Sequence, residues 1–189
     1  MKKAYLTLSL CIISFIISAQ SLEKSFTPYY LQNDKIVEFE RVGAKMESKA
    51  IGFGYGGVNS YYTIFNSKNS STQFKSNELP KFLIKTEDNT EVLELVVLTK
   101  ADVVKKSKTY RRFVISGQNI MFAGAKDFSD LKILPTLKEI DTNLYEMVFN
   151  KDLEPGEYTF MPIFKGQQSS NLTTSTGKTI LYCFGISNE

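Results

Sequence analysis

The stretch Gly156-Glu157-Tyr158-Thr159-Phe160-Met161-Pro162-Ile163-Phe164 sorts its side chains by parity. Tyr158, Phe160, Pro162 and Phe164 fall on one side; Glu157, Thr159, Met161 and Ile163 fall on the other. A period of two belongs to a β-strand, with its aromatic side toward a core and its more polar side away from it. Pro162 has no N–H to give a ladder, so the strand is expected to lie at a sheet edge or to end there. Just upstream, Leu144 to Phe149 is a second apolar run. Asn150 to Gly156 joins the two, and Pro155-Gly156 supplies turn chemistry, so the pair reads as a hairpin.

The same reading extends outward along the chain. Lys178 to Ile186 is apolar on both parities between Ile180 and Phe184, as a strand covered on both faces would be. Val92 to Leu98 reads the same way. A helix competes for Glu91 to Val104, but Lys100 interrupts its stripe, and β-branched valines resist helix because their χ1 is restricted. Thr109 to Ser116, Ile36 to Val42, Tyr61 to Phe65, Lys81 to Lys85 and Leu131 to Ile140 complete the strands, with Pro135 bending or breaking the last. Asn66 to Ser76 and Gln167 to Thr176 are polar loops. Short strands punctuated by Asn, Ser, Gly, Asp and Pro predict an all-β fold. The expected form is a two-sheet antiparallel sandwich, immunoglobulin-like or jelly-roll-like, of about seven to nine strands. The predicted organisation is one domain over residues 35–189, preceded by a polar segment, residues 20–34, that reads as a loose arm or an edge strand.

Residues 1–19 read as a secretory signal. Lys2 and Lys3 form a basic start, Leu6 to Ile17 an apolar run too short to span a membrane, and small Ala19 precedes the expected cut before Gln20. Cys11 sits within the apolar run behind Leu10, where a lipid-attachment cysteine would need a small neighbour and a place at the run's end. No lipid anchor is expected, and the chain is predicted to be exported to the periplasm or beyond. Removing the signal leaves 170 residues with 21 basic and 20 acidic side chains. That near-neutral balance argues against a nucleic-acid partner.

The 189-residue chain contains no His and no Trp. Imidazole-dependent triads, Cys-His pairs and most zinc sites are thereby excluded. With Cys11 removed, Cys183 is alone in the apolar stretch Ile180 to Phe184 and reads as a buried small hydrophobe. Thr176-Gly177-Lys178-Thr179 ends like a phosphate-binding loop. Leu172 stands where the first glycine is required, and a strand rather than a helix follows, so it reads as a turn. Asp127-Phe128-Ser129-Asp130 lacks the alternation and closing acid of a calcium loop. No metal or cofactor is expected. Arg111-Arg112 lie in one strand and therefore point to opposite faces, one of them suited to pairing with a carboxylate. Lys105-Lys106-Ser107-Lys108 reads as a solubilising turn.

Leu153-Glu154-Pro155-Gly156-Glu157-Tyr158, followed at a distance by Tyr182-Cys183-Phe184-Gly185-Ile186, resembles the ending of a set of secreted proteins from Bacteroidota. The likeness spans Lys81 to Ile186, and Lys106 to Val114 matches it loosely. It implies an exported β-rich domain and brings no activity, cofactor or site residue with it.

These readings favour an exported, non-catalytic binding or structural module of the bacterial cell envelope, with a protein or glycan as partner. One alternative is a carboxylate-dependent hydrolase of cell-wall or polysaccharide substrates, drawing on Asp127, Asp130, Glu139, Asp141, Glu146 and Glu157. Another is an assembly subunit that adds its N-terminal arm to a neighbour's sheet. The expected ligand contacts are Tyr55, in the glycine-rich stretch Gly52 to Gly57, with Tyr61 and Tyr62 just after it. Tyrosine offers a flat face and a hydroxyl at small entropic cost. Because Tyr61 and Tyr62 are adjacent in a strand, only one of them can share a face with that loop.

Overall fold

A computed structural model describes residues 27–51, 57–86, 96–102, 110–119, 124–125, 129–162 and 178–188. The residues read as a signal, Tyr55 and the segment 105–108 read as a lysine-rich turn lie outside the described residues. The strands are β1 (Pro28–Gln32), β2 (Lys35–Glu38), β3 (Glu40–Ile51), β4 (Gly57–Phe65), β5 (Gln73–Lys75), β6 (Lys81–Lys85) and β7 (Val96–Lys100). They continue with β8 (Tyr110–Asn119), β9 (Gly124–Ala125), β10 (Lys132–Ile133), β11 (Thr136–Asp141), β12 (Leu144–Val148), β13 (Gly156–Pro162) and β14 (Thr179–Ser187). The fold is an all-β sandwich. The smaller sheet runs β11-β12-β6-β1-β2, and the larger β10-β7-β13-β14-β3-β4-β8-β9. The strand pairs are antiparallel except for β5, which lies parallel to the end of β14.

The segment read as an arm belongs partly to the smaller sheet. β1 lies between β2 and β6, with Tyr29 and Tyr30 buried on its two faces. Asn33 and Asp34, at φ 50° and 59°, close the β1–β2 hairpin in the left-handed conformation that such two-residue turns require. The apolar run Pro28 to Leu31 before that turn and Ile36-Val37 after it are what the two strands bury.

Ile36 to Val42, read as one strand, is broken at Phe39. β2 belongs to the smaller sheet and β3 to the larger, so the chain changes sheets at this residue. Phe39 turns inward there. Its ring lies 5.0 Å from Tyr30, 5.6 Å from Phe82, 5.1 Å from Phe160 and 5.4 Å from Phe184, centroid to centroid. These rings, with Ile84, Leu98, Met147, Leu153 and Tyr158, form the core between the sheets. Residues from both inner faces interdigitate there, as in any packed sandwich.

The expected hairpin between Leu144–Phe149 and Gly156–Phe164 is not formed. β12 pairs with β6 and β11, whereas β13 pairs with β7 and β14. The intervening loop crosses from one sheet to the other and buries Leu153 on the way. β13 is an interior strand, between β7 and β14, described as far as Pro162.

The polar parity of β13 is covered too, because the larger sheet curls on itself. Val97, Met161, Leu181 and Cys183, from β7, β13 and β14, pack with Ile64 and Phe113, from β4 and β8, in a second core. Those strands lie far apart in sheet order. The ends meet where Asp102 N–H donates to the Arg112 carbonyl at 2.8 Å and Lys132 Nζ to the Ile115 carbonyl at 3.1 Å. Thr159 therefore faces this inner core and is fully buried; its hydroxyl donates to the Tyr182 carbonyl at 3.1 Å.

Candidate functional site

β8 crosses the curled sheet with Arg111 facing the inner core and Arg112 facing outward. The register fixes this: Arg111 lies opposite Ile64, Arg112 opposite Thr63. Each arginine organises a polar centre, and the two centres differ in kind.

The inner centre is closed. Arg111 Nη1 donates to Glu40 Oε2 at 2.8 Å and to Glu157 Oε2 at 3.3 Å, and Nη2 donates to Ser67 Oγ at 3.2 Å. Glu157 also accepts from Ser70 N–H at 2.7 Å and from Gln73 Nε2 at 3.1 Å. Both of its oxygens are therefore engaged, and the loop before β5 is tied to β13. Burial pushes the Glu157 carboxyl above its ordinary range, against the lowering effect of those donors. Burial opposes the charge of Arg111, yet the bond to Glu40 and the surrounding negative groups hold its pKa above the usual value. Cys183, on the same face, is pushed up to about 12 by burial, against a hydrogen bond with Thr159. Its thiol stays protonated at neutral pH and is no nucleophile.

Two carboxylates this close suggest acid–base work at first sight. Here the guanidinium lies between them, where a substrate oxygen would have to sit. The arrangement serves as an ion-pair lock joining β3, β8 and β13.

The outer centre is open at one end. On this face β4 presents Asn59, Tyr61, Thr63 and Phe65; β8 presents Tyr110, Arg112 and Val114; β3 presents Lys45, Glu47 and Lys49. The Arg112 guanidinium lies 4.9 Å from the Tyr61 ring centre and 4.9 Å from that of Tyr110. Its Nη2 donates to the Tyr110 hydroxyl at 3.2 Å. Tyr110 in turn meets Phe65 at 6.2 Å, and Phe65 is 49% exposed. The result is a row, Tyr61–Arg112–Tyr110–Phe65, running from a buried to an exposed end. Asn59 Nδ2 donates to the Tyr61 hydroxyl at 3.0 Å, and Thr63 donates to Glu47 Oε2 at 2.9 Å. Two buried polar atoms on this face, Asn59 Oδ1 and Arg112 Nε, have no hydrogen-bond partner. Among the described residues no carboxylate forms an ion pair with Arg112.

Of the tyrosines expected to contact a ligand, Tyr61 lies in this row and Tyr62 on the opposite face, packed against the inner core. Tyr55 lies outside the described residues. Phe65, Tyr110 and Arg112 were not singled out as contacts in the sequence. The alternation Tyr61, Thr63, Phe65 carried half of the signal, and the other half needed the β4–β8 register. Elsewhere, an open groove of about 280 Å³ between β6 and β12 has Phe82, Met147 and Phe149 among its walls. No protein-family model, curated protein or solved structure matches the chain.

Proposed function

We propose that the chain is an exported, non-catalytic binding module of the cell envelope whose contact surface is the Tyr61–Arg112–Tyr110–Phe65 row, with a glycan or a protein as ligand. The observation that carries this reading is a buried arginine, stacked by two tyrosines and with no carboxylate ion pair among the described residues, that leads to an exposed phenylalanine. Flat rings backed by a fixed cation favour sugar faces and aromatic or acidic groups. The export step rests on the leader-like residues 1–19.

The hydrolase alternative would draw on Glu40 and Glu157, which share the Arg111 guanidinium, and Glu157 also accepts from Ser70 and Gln73. It would be favoured if Glu157→Gln abolished a measurable hydrolysis of cell-wall polymer. Strand donation by residues 20–34 is disfavoured, because Pro28–Gln32 is already paired on both sides within its own sheet.

Retention on columns bearing envelope polysaccharide or envelope protein tests the proposal, with wild type and Phe65→Ala compared. Phe65 is half exposed, so its truncation leaves the fold intact. Loss of retention in the variant supports the proposal; equal retention of both forms moves the contact surface elsewhere.

A further inference from the structure

Resting on that reading of the row, we infer that the ligand is an acidic polysaccharide, a chain of sugars bearing carboxylates. A guanidinium withdrawn from water is costly unless an anion and a full set of acceptors compensate it. Arg111, one residue away, is given two carboxylates and a hydroxyl. Arg112 is only 7% exposed and has no ion pair among the described residues; its Nε–H, like that of Arg111, has no acceptor there, so the contrast between the two lies in the missing anion. Its plane is set by Tyr61 on one side and Tyr110 on the other. A planar fork held in place is the geometry that takes a carboxylate best.

The rest of the face agrees in charge. Lys45 and Lys49 stand exposed on the neighbouring strand, Lys45 opposite Thr63 and Lys49 opposite Asn59. The one acid between them, Glu47, accepts the Thr63 hydroxyl. Arg112, Lys45 and Lys49 thus stand around Glu47 on this part of the surface. Phe65 at the open end, 49% exposed, provides an apolar plate for the C–H face of a sugar ring. A polyphosphate such as nucleic acid fits less well, because the chain without its leader has 21 basic and 20 acidic side chains and no strong positive field.

Polygalacturonate, its fully methyl-esterified form and dextran provide the test, each cast into a native gel in which mobility of the whole exported chain is measured. Polygalacturonate should retard the wild type at low salt, less as salt rises. The methyl ester, with the same backbone and no charge, should bind about tenfold more weakly or worse, the cost of a lost charge-assisted hydrogen bond. Arg112→Met and Lys45→Glu should each reduce retardation by polygalacturonate; Lys45 is exposed, so that variant folds regardless. Equal retardation by acid and ester overturns the carboxylate inference, while loss of it in Phe65→Ala would leave the contact-surface reading standing. No retardation by polygalacturonate also overturns the inference. Retardation by polygalacturonate unchanged in Phe65→Ala, Arg112→Met and Lys45→Glu overturns both.

Discussion

Arg111 and Arg112 are consecutive, point to opposite faces of one strand, and are both buried, at 2% and 7% exposure; among the described residues only Arg111 has carboxylate partners. The contrast separates stability from function. Removing Arg111 strands Glu40 and Glu157 without their cation, a change that costs about 3–5 kcal/mol in buried networks. Removing Arg112 in favour of a methionine of similar length withdraws an uncompensated charge, which is near neutral in such cases. Urea unfolding should therefore show Arg111→Met strongly destabilised and Arg112→Met within about 1 kcal/mol of wild type.

The pH dependence follows from Glu157. Desolvation raises its folded-state pKa above the unfolded one, so the folded state holds the proton more tightly. The stability linked to that proton is fully present below the ordinary carboxylate value and is lost as pH rises through the raised value. Glu157→Gln should flatten this fall as pH rises above the ordinary carboxylate range. Arg111→Met should steepen it, since the carboxylates lose the cation that favours ionisation. Urea midpoints across that range, variant against wild type, check both directions. A Glu157→Gln curve as steep as wild type would contradict the assignment.

Phe39 joins the two sheets, and its ring is shared by aromatic residues of both. Phe39→Ala should cost about 3–5 kcal/mol. Because the same cavity would open under both sheets, loss of tyrosine fluorescence and of far-ultraviolet circular dichroism should coincide in one transition. Separate transitions would show that the sheets are not coupled through this residue.

Part of this fold was legible in the sequence. The parity of Tyr158 and Phe160, the doubly apolar run Ile180 to Phe184 and the break at Pro135 located strands correctly. Sheet membership was not legible. Nothing local in Ile36 to Val42 announces that Phe39 is a crossover, and a seven-residue link with a Pro-Gly turn suits a hairpin as well as a change of sheet. The polar parity of β13 suggested solvent, whereas curling of the larger sheet places Glu157 and Thr159 inside. Tyr61 was singled out from its neighbourhood in the sequence; its neighbour Arg112 lies on β8, which only the long-range register could bring beside it.

Cys183 gives a check on export. Its buried thiol, with a pKa pushed up to about 12, should ignore a thiol reagent until the chain is unfolded. In protein recovered from the envelope fraction, one thiol should then titrate, because Cys11 leaves with the leader, and mass spectrometry should place the new N-terminus within a residue or two of Gln20. Two thiols and an intact Met1 would refute export.

The central claim, that the outer face of β4 and β8 is the contact surface, is tested most directly by nuclear magnetic resonance titration of the labelled protein with polygalacturonate oligomers. The account predicts saturable shift changes at Phe65, Tyr110, Arg112 and Tyr61, with Lys45 beside them. Changes confined to the groove around Phe82 and Phe149, with the Arg112 row unmoved, would contradict it.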